Sequence, residues 1–116
     1  MDATVEQQRA IAPAASTGKV WFDRFELNRI LLVYGRMVAA GEWRDYAIGG
    51  EKDVAIFAIF RRAAEHPLYR IEKRPALARK QGAYAVITAQ GQVLKRGHDL
   101  DQVLRVFDRL LMRLVD

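Results

Sequence analysis

Hydrophobic and polar residues recur along the chain with two different periods, and each period predicts a different kind of element. Between residues 23 and 40, apolar side chains recur every three or four positions, the spacing of one helix face. Asp23 and Glu26 have the spacing of a capping box at the start of this helix, and Gly41 supplies its stop. A second helix is predicted after Asp99, where a wide apolar stripe begins.

Between the two helices, four segments have the composition of β-strands. The first is apolar throughout, so we expect a strand covered on both faces, by the fold itself or by a dimer partner. The second alternates and places Arg70, Glu72 and Arg74 on one face. The third and fourth are joined by a tight turn at Gly91. The four strands are predicted at residues 54–60, 68–74, 83–88 and 92–96.

This order of elements predicts an α+β fold, in which an antiparallel meander of three to four strands packs against two helices. Residues 19–22 are suited to an additional N-terminal edge strand, and residues 42–53 to a loop or a short irregular strand. Residues 1–18 have little to bury and are predicted to be a flexible leader. The remainder, residues 19–116, is predicted to form a single domain.

The composition narrows the class of protein. The chain has 116 residues, about the size of one domain, and contains no cysteine, which excludes disulfides and thiolate metal sites. No segment has the roughly 18 apolar residues of a membrane span, and the N-terminus does not resemble a signal peptide. We therefore expect a cytoplasmic protein with no membrane partner.

Positive charge is concentrated in one part of the chain. The formal net charge is +5, yet residues 61–98 alone contain nine cations against two carboxylates, Glu65 and Glu72. Such a surplus favours an anionic partner, either DNA, RNA or another polyanion, although a solvated face that only keeps the protein soluble is the alternative. The nine candidate anion-binding residues are Arg61, Arg62, Arg70, Lys73, Arg74, Arg79, Lys80, Lys95 and Arg96.

Two tyrosines lie in the predicted strands of this basic region. Tyr69 and Tyr84 are candidates for stacking on nucleic-acid bases, as in proteins that bind single strands on a sheet. The alternative is that both rings pack beneath a helix, with their hydroxyls at the rim of the core. The pattern leaves both roles open.

The sequence gives little indication of catalysis. It contains no phosphate-binding loop, no zinc-protease motif and no nucleophile elbow, and no spacing that predicts a metal or cofactor site. His66 precedes a proline and His98 precedes a helix cap, and neither has an evident partner for acid–base chemistry. We therefore expect a small non-enzymatic binding protein. The competing hypothesis is a protein-interaction module or homodimer whose basic charge is incidental.

Several stretches resemble a known family. The runs "RRAAEHPLYRIEKRP" and "LKRGHDL" are its most distinctive parts, and the resemblance extends over most of residues 20–116. The family is an uncharacterised group of short bacterial proteins catalogued as a domain of unknown function. The resemblance implies a compact cytosolic domain and brings no activity, substrate or catalytic residue.

Overall fold

The computed structural model describes residues 18–62 and 66–115. Two α-helices and five β-strands make up the fold, which confirms the α+β class. The predicted leader lies, apart from its last residue, outside the described residues. The elements are α1 (Arg24–Ala39), β1 (Asp45–Gly50), β2 (Ala55–Phe60), β3 (Tyr69–Lys73), a 3₁₀ turn (Pro75–Leu77), β4 (Tyr84–Thr88), β5 (Val93–Gly97) and α2 (Leu100–Val115).

The strands form one antiparallel sheet in the order β1-β2-β3-β4-β5, so each strand pairs with its neighbours in sequence. The prediction of three to four strands was wrong by one, because β1 pairs with β2 along its whole length, from Asp45 opposite Phe60 to Gly50 opposite Ala55. The sequence of β1, DYAIGG, has too few β-branched residues to signal a strand, and its pairing with β2 is what orders it.

No strand forms at residues 19–22, where an edge strand was considered. This segment is held instead by one backbone hydrogen bond, from the Val20 N–H to the Glu51 carbonyl at 2.7 Å. The Trp21 ring lies directly over Gly50, where a Cβ atom would come within 2.5 Å of the ring. Because Gly50, the last residue of β1, has no side chain, residues 19–22 can pack directly against the end of this strand.

Both helices pack on the same face of the sheet. The capping box predicted for α1 is present, since the side chains of Asp23 and Glu26 each accept from the other's N–H at 2.8 Å. Ion pairs join Arg29 to Asp101 and Arg36 to Asp108, with the same seven-residue step on each helix, so α1 and α2 run parallel. The fully buried side chains include Phe22, Ile30, Phe57, Ile59, Ile71, Val86, Val103 and Phe107.

The second face of the sheet is not part of this core. Ala85 and Ile87 are buried, but they do not belong to the hydrophobic cluster that joins the sheet to the helices. Strand alternation and the pairing register place them on the opposite side from Val86 and its helix contacts. We call this second side the open face. Its residues are Asp45, Ala47, Gly49, Ile56, Ala58, Phe60, Arg70, Glu72, Ala85, Ile87, Val93 and Arg96, and Arg74 continues it just beyond β3.

Candidate anion-binding site

Three arginines are brought together on the open face. Arg70 lies on β3, and Arg74 is four residues further along the chain, on the same face. The Arg74 backbone is still extended, and its N–H donates to the carbonyl of Ala83, the residue before β4. Arg96 lies two strands away on β5 and is opposite Ala85, which in turn is opposite Glu72. The three arginines therefore share one face of the sheet, with Glu72 between Arg70 and Arg74.

The Glu72 carboxylate holds two of these arginines. Its side chain is only 4% exposed. Arg70 donates to Oε2 from Nε at 3.2 Å and from Nη2 at 3.1 Å, and Arg74 donates to Oε1 from Nε at 3.1 Å. Charge-assisted bonds of this kind fix the orientation of a guanidinium group. Neither Nη1 of Arg70 nor either Nη of Arg74 has a partner within the described residues, so these donors remain available.

Two more cations lie at the same end of the sheet. Arg79 and Lys80 are exposed in the connection between β3 and β4. This connection is compact, since the Gly82 N–H donates to the Leu77 carbonyl at 2.9 Å, and Arg96 Nη1 donates to the Gly82 carbonyl at 3.4 Å. We call Arg70, Arg74, Arg79, Lys80 and Arg96 the basic cluster. It collects five of the nine predicted anion-binding residues.

The other four predicted residues lie elsewhere. Lys73 points toward the helices, where its Nζ donates to Glu26 Oε1 at 2.8 Å. Arg61 follows β2 at the opposite end of the sheet and pairs with Glu42 at 3.0 Å, and Arg62 is exposed beside it. Lys95 pairs in register with Val86 and so lies on the helix side of β5. Sequence proximity placed them in one group, but the sheet divides them among three regions.

Both predicted stacking residues lie on the helix side of the sheet. The Tyr69 ring contacts Trp43 and Phe107, with centroid distances of 6.2 and 5.2 Å. The Tyr84 hydroxyl donates to Glu26 Oε2. Burial raises the pKa of the Tyr84 hydroxyl above its usual value, and the hydrogen bond to Glu26 raises it further. Neither ring shares a face with the basic cluster.

The aromatic residue on the open face is Phe60, which the sequence did not identify as a stacking candidate. It is the last residue of β2 and is partly exposed. The apolar run of β2 hides its position, because both faces of this strand are apolar and alternation gives no signal. The register supplies the missing information: Phe57 and Ile59 belong to the helix-side core, and Phe60 is one position out of phase with them.

The remaining polar groups do not form an evident catalytic or metal centre. His98 lines a cavity of about 360 Å³ beside Glu26, Tyr84 and Asp99, where the Glu26 carboxylate is already bound by protein donors. Within residues 18–62 and 66–115, no three His, Asp or Glu side chains are grouped as metal ligands. His66 is exposed. Neither histidine is joined to a second group that acid–base chemistry requires.

Comparison with known proteins defines the family. Residues 20–104 match the family described as "Protein of unknown function (DUF2794)", and because this match spans most of the chain, the protein belongs to that family. The resemblance to a domain of unknown function, seen in the sequence, is thereby confirmed. No curated protein and no solved structure matches the chain. In the part of the chain that the structure describes, neither helix has the length and apolar character needed to cross a bilayer.

Proposed function

We propose that this protein is a small, non-enzymatic binding protein of the bacterial cytoplasm that binds nucleic acid or another polyanion through the basic cluster on its open face. The observation that carries this proposal is that Arg70 and Arg74 share one buried carboxylate, Glu72, while Arg96 lies on the same face and Arg79 and Lys80 lie exposed in the connection after β3. Three exposed carboxylates lie at the same end of the sheet, Glu51 and Asp53 in the turn between β1 and β2 and Asp99 after β5, and the five cations outnumber them.

The arrangement suits phosphate groups in particular. Guanidinium groups present several N–H donors in a fixed plane, which match the oxygens of a phosphate. Glu72 accepts hydrogen bonds from the Nε atoms of Arg70 and Arg74 and so orders both side chains in the free protein. The loss of side-chain conformational entropy on binding is therefore smaller. If each of the five cations neutralises one phosphate of a single strand, log K should fall with log salt with a slope of about −3.5.

Fluorescence anisotropy of labelled DNA and RNA, measured at about 50 and about 200 mM salt, tests this proposal. The variant Arg79→Gln/Lys80→Gln removes two exposed cations of the cluster. We expect weaker binding and a slope less negative by about 1.4, from two lost phosphate contacts. The matched control is Arg105→Gln/Arg109→Gln, which removes the same charge from exposed positions of α2, on the other side of the sheet.

Two results would contradict the proposal. One is the absence of binding to any nucleic acid or to heparin at low salt. The other is an equal loss of affinity in the two double variants, since this would mean that net charge, and not the location of the cluster, determines binding.

A second candidate function is self-association or binding of a protein partner, and the edge of the sheet favours it. β5 is an edge strand, and its side chains Val93 and Leu94 are 47% and 37% exposed. Exposed apolar residues on an unpaired strand edge are suited to pairing with another strand. Light scattering over a range of protein concentrations tests this candidate. A strict monomer would exclude the homodimer.

A further inference from the structure

We propose that the ligand of the open face is single-stranded rather than duplex nucleic acid, with one base stacked on Phe60 and phosphates further along the same strand bound by Arg70 and Arg74. This inference rests on the function proposed above and specifies its ligand. It depends on three observations: the position of Phe60 relative to Arg70, the shape of the open face, and the small side chains between the charged ones.

Phe60 and Arg70 are close neighbours on adjacent strands. Arg70 is opposite Ala58 in the β2–β3 register, and Phe60 is two residues further along β2 on the same face. Such diagonal neighbours have Cβ atoms about 7–8 Å apart, within reach of long side chains. The hydrogen bonds to Glu72 turn the Arg70 guanidinium along β3 away from Phe60, so a strand with one base on the Phe60 ring would present the phosphate of a neighbouring nucleotide to Arg70.

The shape of the open face favours a single strand. Five strands spaced about 4.8 Å apart give a surface about 19 Å across. Proteins that read duplex DNA insert a helix or a β-ribbon into a groove, and no described residue range provides such an element on this side of the sheet. In a duplex the bases are also stacked on one another, so that Phe60 has no free base face to contact.

Small side chains separate the charged residues from one another. Ala58 lies beside Arg70, and Ala85 lies between Glu72 and Arg96. Ala58 is partly exposed, so a ribose or deoxyribose can approach the sheet beside Arg70, whereas Ala85 is fully buried by its neighbours. Proteins that bind single strands combine an aromatic platform with a cationic groove in this way.

The test compares three ligands with the full chain: a single strand, the duplex of the same sequence, and heparin as a polyanion without bases. We expect the single strand to bind more tightly than the duplex. Phe60→Leu should weaken single-strand binding about tenfold, because one stacked base is lost, and should leave heparin binding unchanged. The matched control is Phe25→Leu, which alters an exposed phenylalanine on α1, away from the open face.

Phe60→Trp provides an independent measurement if Phe60→Leu proves unstable. An indole at this position retains the stacking surface and reports on it, so single-stranded DNA should quench its fluorescence and heparin should not. Equal affinity for duplex and single strand, with no effect of Phe60→Leu, would overturn this inference and leave the polyanion-binding function intact. Failure of all three ligands to bind would overturn both.

Discussion

Replacing Lys73 by methionine should be one of the most destabilising single changes in this protein. Lys73 is the one cation of β3 that points toward the helices, where its Nζ donates to Glu26 Oε1 at 2.8 Å and to the Trp21 carbonyl at 3.0 Å. Glu26 belongs to the first turn of α1, and its side chain is 8% exposed. The ion pair therefore joins the start of α1 to the middle of the sheet.

The expected cost follows from what remains after the change. Without Lys73, the Glu26 carboxylate would still accept from Tyr84 and from the Asp23 N–H, but no positive charge would compensate its burial. Removing one member of a buried ion pair costs about 3–5 kcal/mol. Since the Lys73 side chain is 18% exposed, water can replace part of the lost interaction, and we expect about 3 kcal/mol. That is a large share of the 5–15 kcal/mol that is typical for a domain.

Urea denaturation followed by circular dichroism measures this change in the free energy of unfolding. Lys95→Met is the matched control, because Lys95 is exposed on the same side of the sheet, and it should change stability by less than about 0.5 kcal/mol. Adding Glu26→Gln to Lys73→Met should recover at least about 1 kcal/mol, because the amide needs no counter-charge and still closes a capping box. A cost below about 1 kcal/mol for Lys73→Met, or no recovery in the double variant, would refute the argument.

Two further predictions concern Tyr84 and Gly82. Folding raises the pKa of Tyr84 above its ordinary value of 10.0. The contribution of the protonated Tyr84 hydroxyl to the free energy of unfolding is therefore complete below pH 10 and is lost as the pH rises toward the folded pKa. In the Tyr84→Phe variant, the urea midpoint should therefore decrease less with pH above about pH 10 than in the wild type. An equal decrease in both proteins would contradict this role of Tyr84. Gly82 has φ +106°, and a Cβ there would lie 2.2 Å from the carbonyl carbon of Gly97. Gly82→Ala should lower the free energy of unfolding by more than about 2 kcal/mol, whereas Gly91→Ala, also at positive φ but in open space, should cost about 1. Equal losses in the two would exclude the steric cause.

Local signals were sufficient where an element is determined by its own residues. The capping box of Asp23 and Glu26 begins α1 as predicted, and Asp99 caps α2 by accepting from the Asp101 N–H at 2.9 Å. The alternation in β3 also placed Arg70 and Glu72 on one face, because side chains in a strand point to opposite sides in turn. These features depend on neighbours within about four residues, which the sequence displays directly.

The sequence by itself therefore determined the class of fold, its helix boundaries and the presence of a basic region between residues 61 and 98. Only the tertiary structure decided which cations meet. Strand pairing placed Arg96 on the same face as Glu72, turned Lys73 toward Glu26, and left Phe60 on the open face. The physical reason is that a strand completes its hydrogen bonds with another part of the chain, so its partners and its faces are set by register over long sequence separations.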